Sequence, residues 1–269
     1  MTHFIMPERK QNSNKGTFGK VLNVAGSENY IGAAYLSTLG ALKSGAGYVA
    51  LASCEKVSES VSILLQEAVL ITRKHALKNI NNYTVLLIGC GLGTNKKYVN
   101  DFINFIKNNK KDMPTIIDAD GLNILSKCTF KNLPQNTIIT PHPAEAGRLL
   151  NVDTDEILSD LTGYAKKLTE KYNCVTVLKS HRTVVCSQTG EIYVNEYGNS
   201  ALAKAGTGDV LAGIIAGLIA QKNDVFEMAK LGVYLHSRAG EIASKELTEY
   251  SVLASDILKY LPKAIKEIL

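Results

Sequence analysis

The amino-acid sequence predicts an α/β fold of three layers, α/β/α, with a mostly parallel central sheet. Short runs rich in β-branched residues alternate with longer segments of helical periodicity. The first six strand candidates are almost continuously apolar, which is typical of strands buried on both faces. Strands that alternate with helices and are buried in this way predict a parallel sheet covered by helices on its two faces.

The elements follow one another in a regular order along the chain. The last two strand candidates lie close together and are joined by "QTG", as in a β-hairpin. The predicted strands cover residues 20–26, 48–53, 83–89, 114–120, 136–140, 174–179, 182–187 and 191–195. The predicted helices cover residues 32–44, 55–66, 96–109, 144–150, 155–172, 209–221, 225–246 and 252–268.

Length and composition favour one soluble domain, residues 1–269, in the cytoplasm. The net charge of +5 slightly favours small anionic ligands and is too weak to indicate nucleic acid. The longest apolar run, residues 210–220, is shorter than the roughly 20 residues of a membrane span, and the N-terminus has no secretory pattern. Five scattered cysteines are expected to be free thiols in a reducing compartment: Cys54, Cys90, Cys128, Cys174 and Cys186.

The segment "KAGTGDV" indicates a phosphate site at a helix start. Gly206, Thr207 and Gly208 are expected to leave three backbone N–H groups open at the positive end of the helix dipole. A plain helix entry with Thr207 as N-cap is the alternative, but it does not explain the flanking glycines. We expect Asp209 to stay ionised at the helix N-terminus, as a weak base that takes the proton of a hydroxyl group. Together these features suggest phosphoryl transfer from a nucleotide.

Two familiar nucleotide-binding loops are missing from the sequence. The segment "GCGLGTN" gives G-x-G-x-G rather than the dinucleotide pattern G-x-G-x-x-G, so it is either a close approach to a ligand or a tight turn. The Lys-Ser pairs at 43–44 and 179–180 each follow leucine instead of the glycine of a phosphate-binding P-loop. A bound nucleotide must therefore use another architecture.

Three further loops follow predicted strands, where open α/β sheets bind their ligands. In "DADGLN", Asp118 and Asp120 could hold Mg²⁺ or ribose hydroxyls, and capping of the loop is an equal alternative. In "TPHPAE", the two prolines on either side of His142 orient its ring in advance. In "KSHRT", Lys179 and Arg182 could reach phosphates, or the segment is a solvated turn.

Taken in order, these segments resemble the ADP/ATP-dependent NAD(P)H-hydrate dehydratases, a family with a ribokinase-like fold. The resemblance covers nearly the whole chain, and its most specific parts are the block that contains "NKGTFGK" and the loop "TPHPAE". It rests also on "GCGLGT", "IIDADGLNIL", "VLKSHRTVV" and "GNSALAKAGTGDVLAGIIAG". The family removes water from a nicotinamide cofactor hydroxylated at C6, after a nucleotide phosphoanhydride has activated the hydroxyl.

The resemblance implies roles for individual residues. Asp209 would act as the base on the C6 hydroxyl and also contact the substrate. The hydrated cofactor would lie against Ala33, Gly93 and His142. The nucleotide would be bound by Lys179, Ser180, His181, Arg182, Thr183, Gly206, Thr207 and Gly208.

The resemblance also implies partners. ADP, or ATP, would be the co-substrate with Mg²⁺ as cofactor, and no residue is assigned as a metal ligand. The substrates would be hydrated NADH and hydrated NADPH. The protein would assemble as a homotetramer, and a separate NAD(P)H-hydrate epimerase would act together with it in cofactor repair. A ribokinase-like kinase of a vitamin alcohol, such as a hydroxymethylpyrimidine or thiazole kinase, is the alternative, since it shares "GTGD". A third alternative is a protein that binds nucleotides but has no catalytic activity.

The chain departs from the usual family pattern at four positions. They are Asn14, Gly121, Ser180 and Ala205. Of these, Ser180 matters most, because with its bulky neighbours His181 and Arg182 it changes how the backbone approaches the nucleotide. The acid and the anion site of "GTGD" are intact.

Overall fold

A computed structural model describes residues 4–110, 112–130, 133–222 and 224–269. Within these residues nine strands form one sheet in the order β3-β2-β1-β4-β5-β6-β7-β8-β9. The strands are β1 Lys20–Val24, β2 Tyr48–Ser53, β3 Val69–Thr72, β4 Val85–Ile88, β5 Thr115–Ile117, β6 Thr137–Ile139, β7 Val175–Leu178, β8 Val184–Cys186 and β9 Ile192–Val194.

The first seven strands pair in parallel, and β8 and β9 add to the edge as antiparallel strands. The predicted mostly parallel sheet with a terminal hairpin is therefore confirmed. The carboxyl ends of β4, β5, β6 and β7 lie side by side, because these strands are parallel neighbours. The loops that leave these four ends form one continuous rim.

Helices cover both faces of the sheet. In chain order they are α1 Ile31–Lys43, α2 Glu55–Leu64, α3 Arg73–Lys78, α4 Lys96–Asn108, α5 Asp120–Leu125, α6 Pro143–Leu150, α7 Thr154–Ser159, α8 Leu161–Tyr172, α9 Thr207–Gln221, α10 Val225–Ser251 and α11 Ala254–Lys266. Helix α10 is interrupted near its end by Thr248, which has a φ of 66°.

One hydrophobic core lies between the sheet and the helices on each of its two faces. One joins α1, α2, α9, α10 and α11 to inward residues of the sheet such as Val21, Leu87 and Val177. The other joins α3 to α8 to residues of the opposite face such as Leu22 and Ile88. The alternation of neighbouring strand residues between the two cores confirms the three-layer α/β/α prediction.

Helix α9 is the most deeply buried of the helices that flank the site. Residues 210–219 are all buried, and the helix packs mainly against α1 and α10. This explains why the sequence behind Asp209 carries no charge. The acid at its start is therefore fixed to a rigid element.

The structure differs from the sequence-based expectations at three places. Strand β3 and helix α3 were not predicted, because β3 is a partly exposed edge strand without a buried apolar pattern. The predicted helix 155–172 is two helices, separated at Asp160, whose carboxylate accepts the Gly163 N–H at 2.8 Å and starts a new helix. Helix α5 was not predicted, because its first residue was assigned to the preceding strand. The predicted end at 246 agrees with the interruption of α10 at Thr248.

Two further expectations concerned membrane spans and the N-terminus. In the part of the chain that the structure describes, no helix is both long and apolar enough to cross a membrane. Residues 1–3, to which the expectation about the N-terminus extends, lie outside that part.

Candidate active site

The loops at the carboxyl edge of the sheet meet around four side chains. Cys90 follows β4, Asp118 follows β5 and Lys179 follows β7, while Asp209 lies in the first turn of α9. One ligand atom each of Cys90, Asp118 and Asp209 lies within 4.8 Å of the other two. Three loops that are distant in sequence thus form one cluster around Asp209.

An ion pair holds Lys179 and Asp118 together within this cluster. The Nζ atom of Lys179 lies 2.7 Å from Asp118 Oδ1 and 4.0 Å from Glu145 Oε2. The Thr140 hydroxyl also donates to Asp118 Oδ1, at 2.6 Å. Burial opposes the charge of Lys179, but Asp118 and Glu145 outweigh it, and the pKa of Lys179 is raised. The lysine is therefore a fixed cation at the rim.

The surroundings of Asp209 disfavour its charged form, in contrast to those of Lys179. Burial, followed by the nearby charge of Asp118, raises the pKa of Asp209 to about 7, although Lys179 and Cys90 act to lower it. The expectation that Asp209 stays ionised as a weak base is wrong, because burial and the negative charge of Asp118 favour its neutral form. A carboxylate with a pKa near neutrality suits general base catalysis.

The start of α9 differs from the sequence-based expectation in its hydrogen bonds. Gly206, with a φ of 91°, is the N-cap residue, and no side chain caps the helix. The Thr207 hydroxyl donates to the carbonyl oxygens of Leu202 and Lys204 instead, at 2.8 and 2.9 Å. The alternative of Thr207 as a side-chain N-cap is therefore wrong.

The set of open amides also differs from the expected one. The Thr207 N–H donates to the Lys204 carbonyl oxygen at 3.3 Å, so it is not available to an anion. The N–H groups of Gly206 and Gly208 have no backbone acceptor in the described part of the structure. Two of the three predicted amides are therefore open, and the Asp209 N–H, which also has no backbone acceptor among the described residues, adds a third.

A cavity of about 650 Å³ opens beside this helix start, within the size range of nucleotide pockets. Its lining contains seven residues predicted from the sequence: His142, Lys179, Ser180, His181, Thr183, Thr207 and Gly208. The rest of the lining comes from the loop 197–204 with Leu211, Val233, His236 and Ser237. Of the other predicted residues, Ala33, Gly93, Arg182, Gly206 and Asp209 do not line it.

The loop "KSHRT" is a tight turn. The Ser180 N–H donates to Thr183 Oγ1 at 3.4 Å, and this hydroxyl donates back to the Ser180 carbonyl oxygen at 3.1 Å. Lys179 is anchored by its N–H to the Pro141 carbonyl oxygen at 2.8 Å. His181 and Arg182 are exposed at the tip, and Arg182 does not line the cavity.

Ala33 lies against the loop that carries Cys90 and Gly93. A Cβ atom on Gly91 would lie only 2.8 Å from the Cβ of Ala33, so the loop backbone passes close over the start of α1. The Gly93 N–H donates to Asp120 Oδ2 at 2.8 Å. Asp120 therefore caps this loop, whereas Asp118 binds Lys179; the two acids of "DAD" do not act as a pair.

His142 caps helix α6 in a reciprocal arrangement. Its backbone N–H donates to Glu145 Oε2 at 2.9 Å, and its Nδ1 accepts the Glu145 N–H at 3.4 Å. Burial, with the positive charges of Lys179 and Arg148, lowers the pKa of His142 to about 4. The half-exposed ring is therefore neutral at physiological pH and accepts or donates without carrying charge.

The cluster around Asp209 is a poor match for Mg²⁺. The ion prefers oxygen ligands, but burial raises the pKa of the Cys90 thiol well above its usual value. Asp118 is already paired with Lys179. Among the described residues, this is the one cluster of acidic and thiol groups close enough to share an ion. The protein therefore has no dedicated magnesium cage there.

Sequence reasoning missed four residues that shape the site: Cys90, Thr140, Glu145 and His236. Glu145 could have been found, because it stands three residues after a helix N-cap, where capping boxes place an acid. Cys90 lies inside a loop that was noted for its glycines, and only the fold brings it to Asp209. His236 comes from a distant helix and carries no local signal.

The sheet order and the site define the class of ribokinase-like α/β proteins. The chain aligns with a ribokinase-like protein of Enterococcus faecalis with a TM-score of 0.89 and 30% identity, over 98% of this chain and 92% of that one. A hydroxyethylthiazole kinase of Pyrococcus horikoshii shares only the fold, with a TM-score of 0.60 and 12% identity over 94% and 92% of the two chains.

Sequence comparison identifies the family. The model of the NAD(P)H-hydrate dehydratases matches residues 21–263. The chain belongs to this family. An ADP-dependent (S)-NAD(P)H-hydrate dehydratase of Neisseria meningitidis is 37% identical over 88% of this chain and 81% of its own. The crystal structure of the ADP/ATP-dependent NAD(P)H-hydrate dehydratase of Bacillus subtilis, co-crystallised with ATP and Mg²⁺, gives a TM-score of 0.91 at 33% identity over 98% and 95% of the chains.

Some relatives are much longer than this chain. A bifunctional NAD(P)H-hydrate repair enzyme of Moorella thermoacetica is 34% identical over 98% of this chain. The chain spans 52% of the length of that enzyme. The shared half therefore corresponds to one part of the bifunctional relative.

Proposed function

We propose that this protein is an ADP-dependent (6S)-NAD(P)H-hydrate dehydratase, which converts the hydrated cofactor and ADP to NAD(P)H, AMP and phosphate. The observation that carries the proposal is Asp209, a base whose pKa is raised to about 7, at a helix start beside a nucleotide-sized cavity. The names of the Neisseria and Bacillus relatives support the same reaction.

The nucleotide would occupy the cavity, with its phosphates toward α9. The N–H groups of Gly206 and Gly208 offer donors at the positive end of the helix. Lys179 adds a cation, and a Cβ atom on Gly208 would lie 3.3 Å from Lys179 Nζ. Ser180, His181, Thr183 and Thr207 would form the wall around the nucleotide, and Arg182 would remain at its outer edge.

The hydrated cofactor would approach from the side of Ala33, Gly93 and His142. Ala33 lies against Gly91 in the loop that carries Cys90 and Gly93, Cys90 lies close to Asp209, and His142 lines the neighbouring cavity. A substrate placed there presents its C6 hydroxyl to Asp209 and lies opposite the phosphates of the nucleotide. A neutral His142 adds a hydrogen-bonding group without adding charge.

The reaction then has two bond exchanges. The hydroxyl oxygen attacks the β-phosphorus of ADP, Asp209 takes the hydroxyl proton, and the bond from the β-phosphorus to the bridging oxygen breaks to release AMP. The nitrogen lone pair of the ring then expels the phosphate from C6, and loss of a C5 proton to solvent restores the ring double bond. Hydroxide is a poor leaving group and phosphate a good one, which explains the need for the nucleotide.

Mg²⁺ would enter with the nucleotide and neutralise charge on its phosphates. This proposal is supported by the Bacillus relative, which was co-crystallised with ATP and Mg²⁺. The protein itself contributes the cation Lys179 and the open amides of α9 to the same task.

We further propose a single domain, a homotetrameric assembly and a cytoplasmic location. The free thiols support a reducing compartment. The bifunctional relatives support a functional pairing with a separate partner in cofactor repair, which we propose to be the NAD(P)H-hydrate epimerase.

The test uses purified hydrated NADH with ADP and Mg²⁺. We expect recovery of the dihydronicotinamide absorbance with equal amounts of AMP and phosphate. Asp209→Asn should lower kcat by about 10² to 10⁴, the range for loss of a positioned base, whereas the exposed Asp155→Asn should retain full activity.

Two outcomes would contradict the proposal. No recovery with either ADP or ATP would exclude the dehydratase. Accumulation of a stable phosphate ester from a vitamin alcohol, with no effect on the hydrated cofactor, would instead favour the ribokinase-like kinase.

A further inference from the structure

His236 is a buried histidine with no part in the proposed chemistry. It lies on α10, is 7% exposed and lines the cavity. Its Nε2 atom lies 3.0 Å from the backbone carbonyl oxygen of Thr207. Because a carbonyl oxygen only accepts, the hydrogen bond requires a proton on Nε2.

The Thr207 carbonyl belongs to the same peptide unit as the Gly208 N–H. In a trans peptide these two groups lie in one plane and point in opposite directions. Fixing the carbonyl toward α10 therefore fixes the Gly208 N–H toward the opposite side, where Lys179 Nζ is close to Gly208. A donor on the carbonyl also polarises the peptide and makes its N–H a better donor to an anion.

The neighbouring contacts make this peptide a defined element rather than a flexible turn. Gly206 has a φ of 91°, which gives the turn before the helix its direction. The Thr207 hydroxyl binds two carbonyl oxygens of the preceding loop. Leu202 of this loop packs on α10, since a Cβ atom on Gly240 would lie 2.6 Å from it. His236 is therefore one of the polar contacts that tie α10 to the helix start.

The charge state of His236 suits this role. Burial, and to a smaller extent Lys179, lowers the pKa of His236 to about 4, although the Thr207 carbonyl opposes the shift. The ring is therefore neutral at physiological pH. A neutral ring holds one proton on Nε2 and adds no charge to the cavity.

We propose that His236 is a positioning residue that aims the Gly208 N–H at the phosphate of the nucleotide transferred in the reaction. This proposal rests on the proposed function, because it takes ADP as the ligand of the cavity. Its consequence is specific: His236 affects binding of the terminal phosphate much more than binding of the nucleoside, although it also lines the cavity. A histidine that only supports the packing of α10 would affect both to the same extent.

The experiment compares ADP with adenosine by calorimetry at about pH 7.5. His236→Leu removes the donor and keeps an apolar side chain, and we expect ADP to bind about threefold to tenfold more weakly, the effect of one lost hydrogen bond. Adenosine affinity should change much less than ADP affinity. His236→Gln retains an N–H donor and should recover most of the ADP affinity. His75→Leu, an exposed histidine on α3, is the matched control.

Equal losses for ADP and adenosine, or no loss of ADP affinity, would overturn the proposal. If His236→Leu does not fold, nitrogen NMR of the wild-type protein decides: a proton on Nε2 of His236 supports the proposal, and a proton on Nδ1 refutes it. The binding experiment requires no turnover. A protein that binds ADP as expected but does not dehydrate the cofactor would refute the proposed function and leave the role of His236 in place.

Discussion

Lys179 Nζ lies 2.7 Å from Asp118 Oδ1, so a cation at the rim of the cavity is joined to a fully buried carboxylate. Thr140 holds the same oxygen atom of Asp118. The lysine is thereby fixed close to Gly208, at the helix start that we propose to receive the phosphate. The ion pair therefore contributes to the stability of the loops at the carboxyl ends of the strands and also positions a positive charge in the site.

Replacing Lys179 should therefore affect stability as well as activity. Lys179→Met leaves the Asp118 charge buried without a partner, and we expect the free energy of unfolding to fall by about 2–4 kcal/mol. Urea unfolding at neutral pH measures the change. The double variant Lys179→Met with Asp118→Asn should recover part of the loss. No recovery would show that the charge of Asp118 is not the cause.

An exposed ion pair supplies the control for this prediction. Lys259 lies 2.8 Å from Asp256, but its side chain is 70% exposed. Lys259→Met should change stability much less, because solvent screens that pair.

The pH dependence of turnover should report Asp209. Burial and Asp118 raise the pKa of Asp209 to about 7, and the base is active when deprotonated. We expect kcat/KM to rise with pH through about 7 and to level off above it. The groups that face the carboxylate are Asp118, Asp120, Lys179 and Cys90.

Asp118→Asn tests the cause of this pH dependence. It removes a negative neighbour of Asp209 and also releases the charge of Lys179, so both changes favour the ionised form. The rising limb of the kcat/KM profile should move to lower pH, whatever happens to the maximal rate. A shift to higher pH would contradict the assignment of Asp209 as the base.

Local sequence patterns were sufficient to predict the fold and the loops that carry the chemistry. The buried parallel strands follow from continuous apolar runs, and the loops of interest follow from their position after strands. The edge strand β3 was missed because it is half exposed and has no such run. Patterns of this kind report burial, and they fail where burial is incomplete.

The electrostatics of the site could not be predicted from the same patterns. The helix start suggested an ionised Asp209, but the cost of burial depends on Cys90 and Asp118, which other strands bring to it. The carbonyl contact of His236 is equally invisible in sequence, since 29 residues separate it from Thr207. Such properties depend on tertiary contacts between distant segments.

The "KSHRT" turn offers a test of which side chains matter for the nucleotide. Thr183 closes the turn through two hydrogen bonds with Ser180, whereas Arg182 is exposed at its tip. We expect Thr183→Val to weaken ADP binding by about threefold to tenfold. Arg182→Ala should change the ADP dissociation constant less. A larger effect at Arg182 would mean that its side chain folds over the nucleotide.

Asp209→Asn should make the protein more stable at high pH, although it removes the catalytic base. The pKa of Asp209 is raised from 3.8 to about 7 by folding, so the folded state binds the proton more tightly than the unfolded state. Stability contributed by this proton is present at low pH and is lost as pH rises to about 7. We expect Asn to match the wild type only below about pH 4, to gain on it as pH rises toward about 7, and to be more stable by about 1–3 kcal/mol near about pH 8, measured by chemical unfolding near about pH 3.5 and near about pH 8. Asp155→Asn, on the exposed side of α7, should show no such difference between the two pH values. Equal or lower stability of Asp209→Asn near pH 8 would mean that the carboxylate is stabilised in its charged form, as a helix N-terminus alone would predict.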